Sequence, residues 1–174
     1  MIVVLMGVSG SGKTTIGKRL AERTGWTFTD ADDYFPDAYK QKMAAGIPLS
    51  DEDRAPWLEA LNGVLRGWDK EGSNGVLACS ALKAKYHKAL KASVSEDRIR
   101  FVFLDGSKDL IAKRLATRKH EYMNPKLLES QLATLEKPTD AIRIVNDREP
   151  DEIVSQILAR ILPGPGSTAT HSLN

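Results

Sequence analysis

Cysteine is almost absent from this chain of 174 residues. Cys79 stands alone, which excludes an internal disulfide and fits a reducing compartment. No apolar run approaches the roughly 20 residues that a membrane-spanning helix needs. The chain enters an apolar run, Ile2–Met6, at once, so no signal peptide is expected. Excess charge is also lacking: 25 basic residues against 23 acidic ones leave a net +2, too little to argue for nucleic acid or an anionic membrane surface as partner. Histidine is scarce, His87 and His120 are isolated, and nothing has metal-ligand spacing. These absences leave a cytoplasmic globular protein of one domain, with enough chain for a real core.

What is present alternates. Short apolar runs recur at Ile2–Met6, Thr27–Thr29 (ending at Asp30), Val76–Cys79, Ile99–Leu104 and Ile142–Val145. Their apolarity is largely continuous, which predicts strands covered on both faces and hence a parallel sheet. Helical spacing lies between them. One helix is predicted from Lys13 to about Thr24, with Gly25 as its stop. Another carries Trp57, Leu61, Val64, Leu65 and Trp68, with Pro56 suited to its first turn and both tryptophans assigned to the core. Leu110, Ile111 and Leu115 mark a third, and Ile153, Val154, Ile157, Leu158 and Ile161 the last. The polar stretch from Tyr34 to Arg54 is long for a connection, so a short helix and part of a site are expected there. The tail 163–174, rich in Pro, Gly, Ser and Thr, is expected to be disordered. The fold class is therefore a three-layer α/β fold with a parallel sheet of five strands.

The first strand runs into Gly7-Val8-Ser9-Gly10-Ser11-Gly12-Lys13-Thr14-Thr15, which contains the full pattern of a phosphate-binding loop between strand and helix. Backbone N–H groups must turn inward around a phosphate, and glycine lets the backbone turn and approach closely. The following helix points its positive end at the anion. Lys13 supplies a mobile cation for the β and γ phosphates, and the Thr14 hydroxyl can join the shell of Mg²⁺. A nucleoside triphosphate with Mg²⁺ is thus the expected ligand.

The strand Val76–Cys79 ends in Cys79-Ser80 with no acid, and the guanine-reading Asn-Lys-x-Asp is missing. Both omissions argue against a nucleotide switch. Acids follow the second strand instead: Asp30, Asp32 and Asp33. That strand end belongs to the carboxyl edge of the sheet, where ligands bind. One acid there, Asp30, can support the metal, and another, Asp32, can take the proton of an attacking hydroxyl. Asp at a turn or helix cap is an equally ordinary use of these residues. Arg114 and Arg118 lie four apart on one helix face, where one can stack on a base and the other meet phosphate. Lys83 follows the third strand, and Arg54 could clamp an anion or pair with Asp51 or Asp53. Cys79 reads as a small buried strand residue.

Together "MGVSGSGKTT", "DADDYFP", "KMAAGIPLSDEDRAPWL", "ACSALKAKY" and "LESQLATLEKP" resemble the gluconokinase family of small-molecule kinases, from about Ile2 to Leu162. The resemblance implies transfer of the ATP γ-phosphoryl group to the 6-hydroxyl of D-gluconate. It also implies a shikimate-kinase-like, nucleoside-monophosphate-kinase-type fold with a lid, and a homodimer. Lys13, Asp32 and Arg118 would be the catalytic groups. Arg54, Lys83 and Gln131 would line the gluconate side with Asp32. Arg114 and Arg118 would face the nucleotide, and the loop 146–150, ending at Pro150, would pack near the adenine. Two positions depart from the family's habit. Glu121 stands where a histidine is usual in the lid, and His87 stands where an arginine is usual. A neutral histidine is a weaker anion ligand, so substrate preference is the property these changes touch. A shikimate or nucleotide kinase on the same scaffold is the enzymatic alternative, and a nucleotide-dependent switch the alternative of another class.

Overall fold

The computed structural model describes residues 1–117 and 125–162. Five strands, β1 (Ile2–Met6), β2 (Thr27–Asp30), β3 (Gly75–Ala78), β4 (Ile99–Asp105) and β5 (Ile142–Val145), form one parallel sheet in the order β2-β3-β1-β4-β5. The central strand β1 aligns Val3 with Val76 on one side and with Arg100 on the other. Among the described residues seven α-helices link and flank the strands: α1 (Lys13–Thr24), α2 (Asp37–Ala44), α3 (Asp51–Glu71), α4 (Ala84–Leu90), α5 (Lys108–Thr117), α6 (Pro125–Thr134) and α7 (Pro150–Ile161). A 3₁₀ turn, Ala31–Tyr34, follows β2. Among the described residues no helix is long and apolar enough to cross a membrane.

Both faces of the sheet are covered, as continuous apolar strands require. Val3 and Leu5 of β1 pack with Ile16 and Leu20 of α1 and Ile153 and Ile157 of α7. Val4 and Met6 point the other way, into Trp57, Leu61, Leu65 and Trp68 of α3. This is the period-two alternation of a strand applied to two apolar layers. A third, smaller cluster joins Val8, Leu82, Ile111 and Leu128, so the loops after β1 and β3 share apolar support with α5 and α6.

Helix α3 differs from the expectation drawn around Pro56. It begins at Asp51, with Ser50 as N-cap and a capping box that Ser50 completes with Asp53, so Pro56 lies inside the helix rather than in its first turn. The box uses Asp where Glu or Gln is the usual partner. Proline's missing N–H leaves the Glu52 carbonyl without its helical donor, and Glu52 is solvent-exposed, which makes the loss tolerable. The polar "LSDEDR" stretch is thus a helix start, and Arg54 rides on that helix's first turns.

Candidate active site

The loop 7–12 takes the shape that its glycines predict. Gly7, Gly10 and Gly12 have φ of 147°, 79° and 89°. A Cβ on Gly10 would come within 2.8 Å of the Leu115 side chain, and one on Gly7 within 2.7 Å of Ser11 Oγ. Gly12 is also the N-cap of α1, offers no side-chain cap, and is followed by a first turn without acids. The positive end of α1 therefore faces the loop unopposed by any carboxylate of its own. Lys13 Nζ donates to the carbonyls of Gly7 (3.0 Å) and Val8 (3.1 Å), along the rim of the loop. Among the described residues, Ser11 Oγ is a buried side-chain oxygen without a hydrogen-bond partner. Buried polar groups are rarely left so, and an oxygen of a bound phosphate would supply what it lacks. A cradle only glycine can line, a dipole end, an ammonium and an orphan hydroxyl together fit a polyphosphate.

Beside the loop, the Thr14 hydroxyl donates to Asp30 Oδ2 at 2.6 Å. Asp30 Oδ1 accepts from the backbone N–H of Asp32 at 3.1 Å, capping the 3₁₀ turn. One carboxylate thus anchors both the first turn of α1 and the turn that carries Asp32. No group of three or more His, Cys, Asp or Glu side chains suited to a metal occurs among the described residues. A hydroxyl and one carboxylate fit a Mg²⁺ ion that keeps most of its ligands from phosphate and water. Asp32 keeps contact with solvent, yet protein crowds its carboxyl. That crowding raises its pKa above the ordinary carboxylate value; the charge of Asp30 raises it further, and Lys13 opposes both. The turn is fixed from below, where Trp57 Nε1 donates to the Ala31 carbonyl at 2.8 Å and Phe35 stacks on Trp57 with centroids 4.4 Å apart. Cys79 lies buried under this group, and burial pushes its thiol up to about 12, so it is no nucleophile.

Across from these groups opens a cleft of about 330 Å³, lined by Leu49, Asp51, Arg54, Lys83, Gln131 and Thr134 among others. Asp51 accepts from Lys85 Nζ, Tyr86 Oη and, at 3.3 Å, Lys83 Nζ. These donors, Lys85 first, hold the Asp51 carboxyl well below the usual carboxylate range. Arg54 donates to the Leu49 carbonyl and stands 3.5 Å from the Tyr86 hydroxyl. The cations of Arg54, Lys83 and Lys85 all lie within 6 Å of the Tyr86 ring centroid, at 5.6, 5.7 and 5.9 Å. Arg54 therefore does not take either of the carboxylates suggested by its neighbours in sequence. Asp51 belongs to the lysines, and Asp53 to Lys42 and the Ser50 backbone. Gln131 of α6 reaches from the cleft to the loop: its Oε1 accepts from Ser9 N at 2.7 Å, and its Nε2 donates to Ser9 Oγ at 3.1 Å.

Next to the phosphate loop, Arg114 Nη2 donates to the Asn146 carbonyl at 3.0 Å. Asn146 is buried, and its amide donates to the Ser11 carbonyl while its backbone N–H meets Asp105 at 2.8 Å. Within the loop 146–150 it is Asn146 that touches the phosphate loop, whereas Pro150 opens α7. Asn146 was not legible as a site residue on its own; its position directly after a strand at the carboxyl edge was the available signal. Arg118, His120 and Glu121 lie outside the described residues, as does the tail 163–174. His87 is corrected outright. It is buried, stacks on Phe101 with centroids 4.6 Å apart, and donates from Nε2 to the Ala81 carbonyl at 2.9 Å, so it is no anion ligand of the cleft.

Known proteins share this layout. The shikimate kinase family model matches residues 9–162. A probable gluconokinase of Dictyostelium discoideum is 45% identical over 145 residues, covering 81% of this chain and 72% of that protein. The gluconokinase of Gluconobacter oxydans is 43% identical over 159 residues, covering 90% and 88%. The crystal structure of a gluconokinase from Sinorhizobium meliloti superposes with a TM-score of 0.80 at 38% identity, covering 91% of this chain and 90% of that one. With a glycine-lined phosphate cradle beside a cationic cleft, and relatives of this closeness over most of its length, the chain belongs to the gluconokinase family, within the wider shikimate kinase family.

Proposed function

We infer that the protein is a gluconokinase, transferring the γ-phosphoryl group of ATP to the 6-hydroxyl of D-gluconate to give 6-phosphogluconate and ADP. The observation that carries this reading is the joint between the two sites. Gln131 lines the cationic cleft and grips Ser9 of the phosphate loop, so an acid held by Arg54 and Lys83 lies next to the phosphate cradle. The cleft's size is near the lower end of the roughly 300–1,000 Å³ of ligand pockets, which suits a six-carbon acid better than a nucleotide acceptor.

In this reading the loop 7–15 binds the triphosphate, and Lys13 swings from the Gly7 and Val8 carbonyls to its terminal oxygens. Thr14 and Asp30 would hold Mg²⁺, which would supply charge neutralisation for the phosphates. Arg54 and Lys83 fix the carboxylate of gluconate, and Gln131 contributes a polar contact on the same wall. Asp32 orients the 6-hydroxyl and takes its proton. Crowding and the Asp30 charge raise its pKa, which makes it a stronger base than an ordinary aspartate. Arg114, with Arg118 beyond it in sequence, serves the nucleotide side. Catalysis is chiefly positioning and charge neutralisation.

An ADP-release assay with gluconate, shikimate, a nucleoside monophosphate or no acceptor tests this directly. Gluconate-dependent release is expected. Equal turnover without any acceptor would favour a nucleotide switch, and a preference for shikimate would move the acceptor assignment.

A further inference from the structure

Residues Ser80–Lys83 run from the end of β3 to the N-cap of α4 and deliver Lys83 to the cleft. Three ties hold this connection. Gly7 N donates to the Ser80 carbonyl at 3.2 Å. Glu136 donates from its backbone to the Leu82 carbonyl and accepts from Ala84 N, both at 2.8 Å. His87 Nε2 is bonded to the Ala81 carbonyl at 2.9 Å. The third tie bears on a strained residue. Ala81 has φ of 43°, a left-handed conformation that a side chain disfavours, and it is buried.

A carbonyl only accepts, so His87 carries its proton on Nε2. The other ring nitrogen, Nδ1, stands 3.6 Å from Asp140 Oδ1, and Lys91 Nζ lies 3.9 Å from that residue's other oxygen. Phe101, stacked at 12° to the imidazole, keeps the ring from turning. The bond to the Ala81 carbonyl and the stacked Phe101 ring fix the direction of the Nε2–H, which is aimed at the peptide two residues before Lys83.

We propose that His87 is a positioning residue for the acceptor: by holding the Ala81 carbonyl in its left-handed turn it fixes where the Lys83 ammonium enters the cleft. This rests on the reading of Lys83 as a ligand of the acid substrate. Without the bond, the peptide after Ala81 is free to rotate towards a relaxed conformation, and Lys83 leaves its place beside Asp51. ATP binding, which uses the loop 7–15 rather than Lys83, should keep its affinity.

Four variants of the full chain separate the possibilities in steady-state assays that vary gluconate and ATP independently: His87→Leu, His87→Gln, Lys83→Met and the double variant His87→Leu/Lys83→Met. One hydrogen bond is worth roughly threefold to tenfold in an equilibrium constant. His87→Leu should therefore raise KM for gluconate by about that factor and leave kcat and KM for ATP within about twofold. His87→Gln, whose amide can still donate, should recover most of the loss. The double variant should be no worse than Lys83→Met, since a residue that acts through Lys83 has nothing further to lose. An unchanged KM for gluconate in His87→Leu, an equal penalty on ATP, no recovery by Gln, or additive losses would each overturn the proposal. If Lys83→Met alone left KM for gluconate unchanged, the acceptor role of Lys83 would fail and the proposal with it. Should His87→Leu not fold, nitrogen-15 NMR of the wild-type imidazole decides: a proton on Nε2 is expected, and a bare Nε2 overturns the proposal.

Discussion

Asp32→Asn separates the catalytic role proposed for this carboxyl from its structural one, because the two effects have opposite signs. The substitution keeps the shape of the side chain and the backbone N–H that Asp30 caps at 3.1 Å, so the 3₁₀ turn should persist. It removes the proton acceptor. Positioned proton transfer is typically worth about a hundredfold or more, which corresponds to about 2.7 kcal/mol of barrier. KM for ATP should stay within about twofold, since the loop 7–15 is untouched. Stability should move the other way. Crowding and the Asp30 charge raise the Asp32 pKa above its unfolded value. A carboxyl raised in this way favours the folded state fully below the ordinary carboxylate range, and that contribution is lost as pH rises through the raised value. The ionised form is a liability that the amide does not carry. Asp32→Asn should melt no lower than wild type at pH 7, and its advantage should shrink as pH falls into the carboxylate range. Because the residue keeps solvent contact, the gain is small. Coupled ADP release gives the rate, and thermal denaturation across pH gives the stability. A loss confined to KM, or a variant clearly less stable than wild type at neutral pH, would refute the assignment of Asp32 as a crowded base.

Three further outcomes follow from the same geometry. Arg54→Ala should raise KM for gluconate by about tenfold to a hundredfold, as for a lost charge-assisted hydrogen bond, and leave KM for ATP alone; matched losses in both would count against a role confined to the acid. Asn146→Ala leaves the buried Ser11 carbonyl without its donor and should cost about 1–3 kcal/mol in denaturant unfolding, together with a raised KM for ATP but not for gluconate. Ser50→Ala breaks the capping box of α3 and should cost about 1 kcal/mol in a urea titration with kcat preserved; an effect on the m-value instead would point to a changed denatured state.

The parts of the site that could be read from the sequence are those whose physics is local. The phosphate loop needs glycine at three fixed places and a helix directly after it, so residues 7–15 declare themselves without reference to the rest of the chain. Strand runs covered on both faces declare the parallel sheet in the same way. Asp30 and Asp32 were accessible one step further, through the rule that ligands bind at the carboxyl edge, and the Thr14–Asp30 bond joins residues 16 apart. What could not be read depends on distant partners. Gln131 and Ser9 are 122 positions apart, and Asn146 and Ser11 are 135 apart. His87 shows the difference best. Beside Tyr86 and two lysines it reads as a weak anion ligand, because one turn of helix brings every neighbour in sequence near the cleft. Its actual neighbours, Ala81, Phe101 and Asp140, come from three other segments, and they turn it inward.

The missing acid at the end of β3 also acquires a physical reason. Cys79 is buried, and its thiol lies close enough to Asp30, Asp32 and Lys13 to feel their charges. A third carboxylate at this position would sit beside two others with one ammonium between them, and burial would push it towards the neutral form, where it holds no metal. Asp30, at the end of β2, lies instead within 2.6 Å of the Thr14 hydroxyl. The end of β3 is then available for another task. Ser80 accepts from the first residue of the phosphate loop, and three residues later Lys83 enters the acceptor cleft. The same short connection that lacks an acid thus runs from a hydrogen bond to the phosphate loop to a cation that lines the cleft.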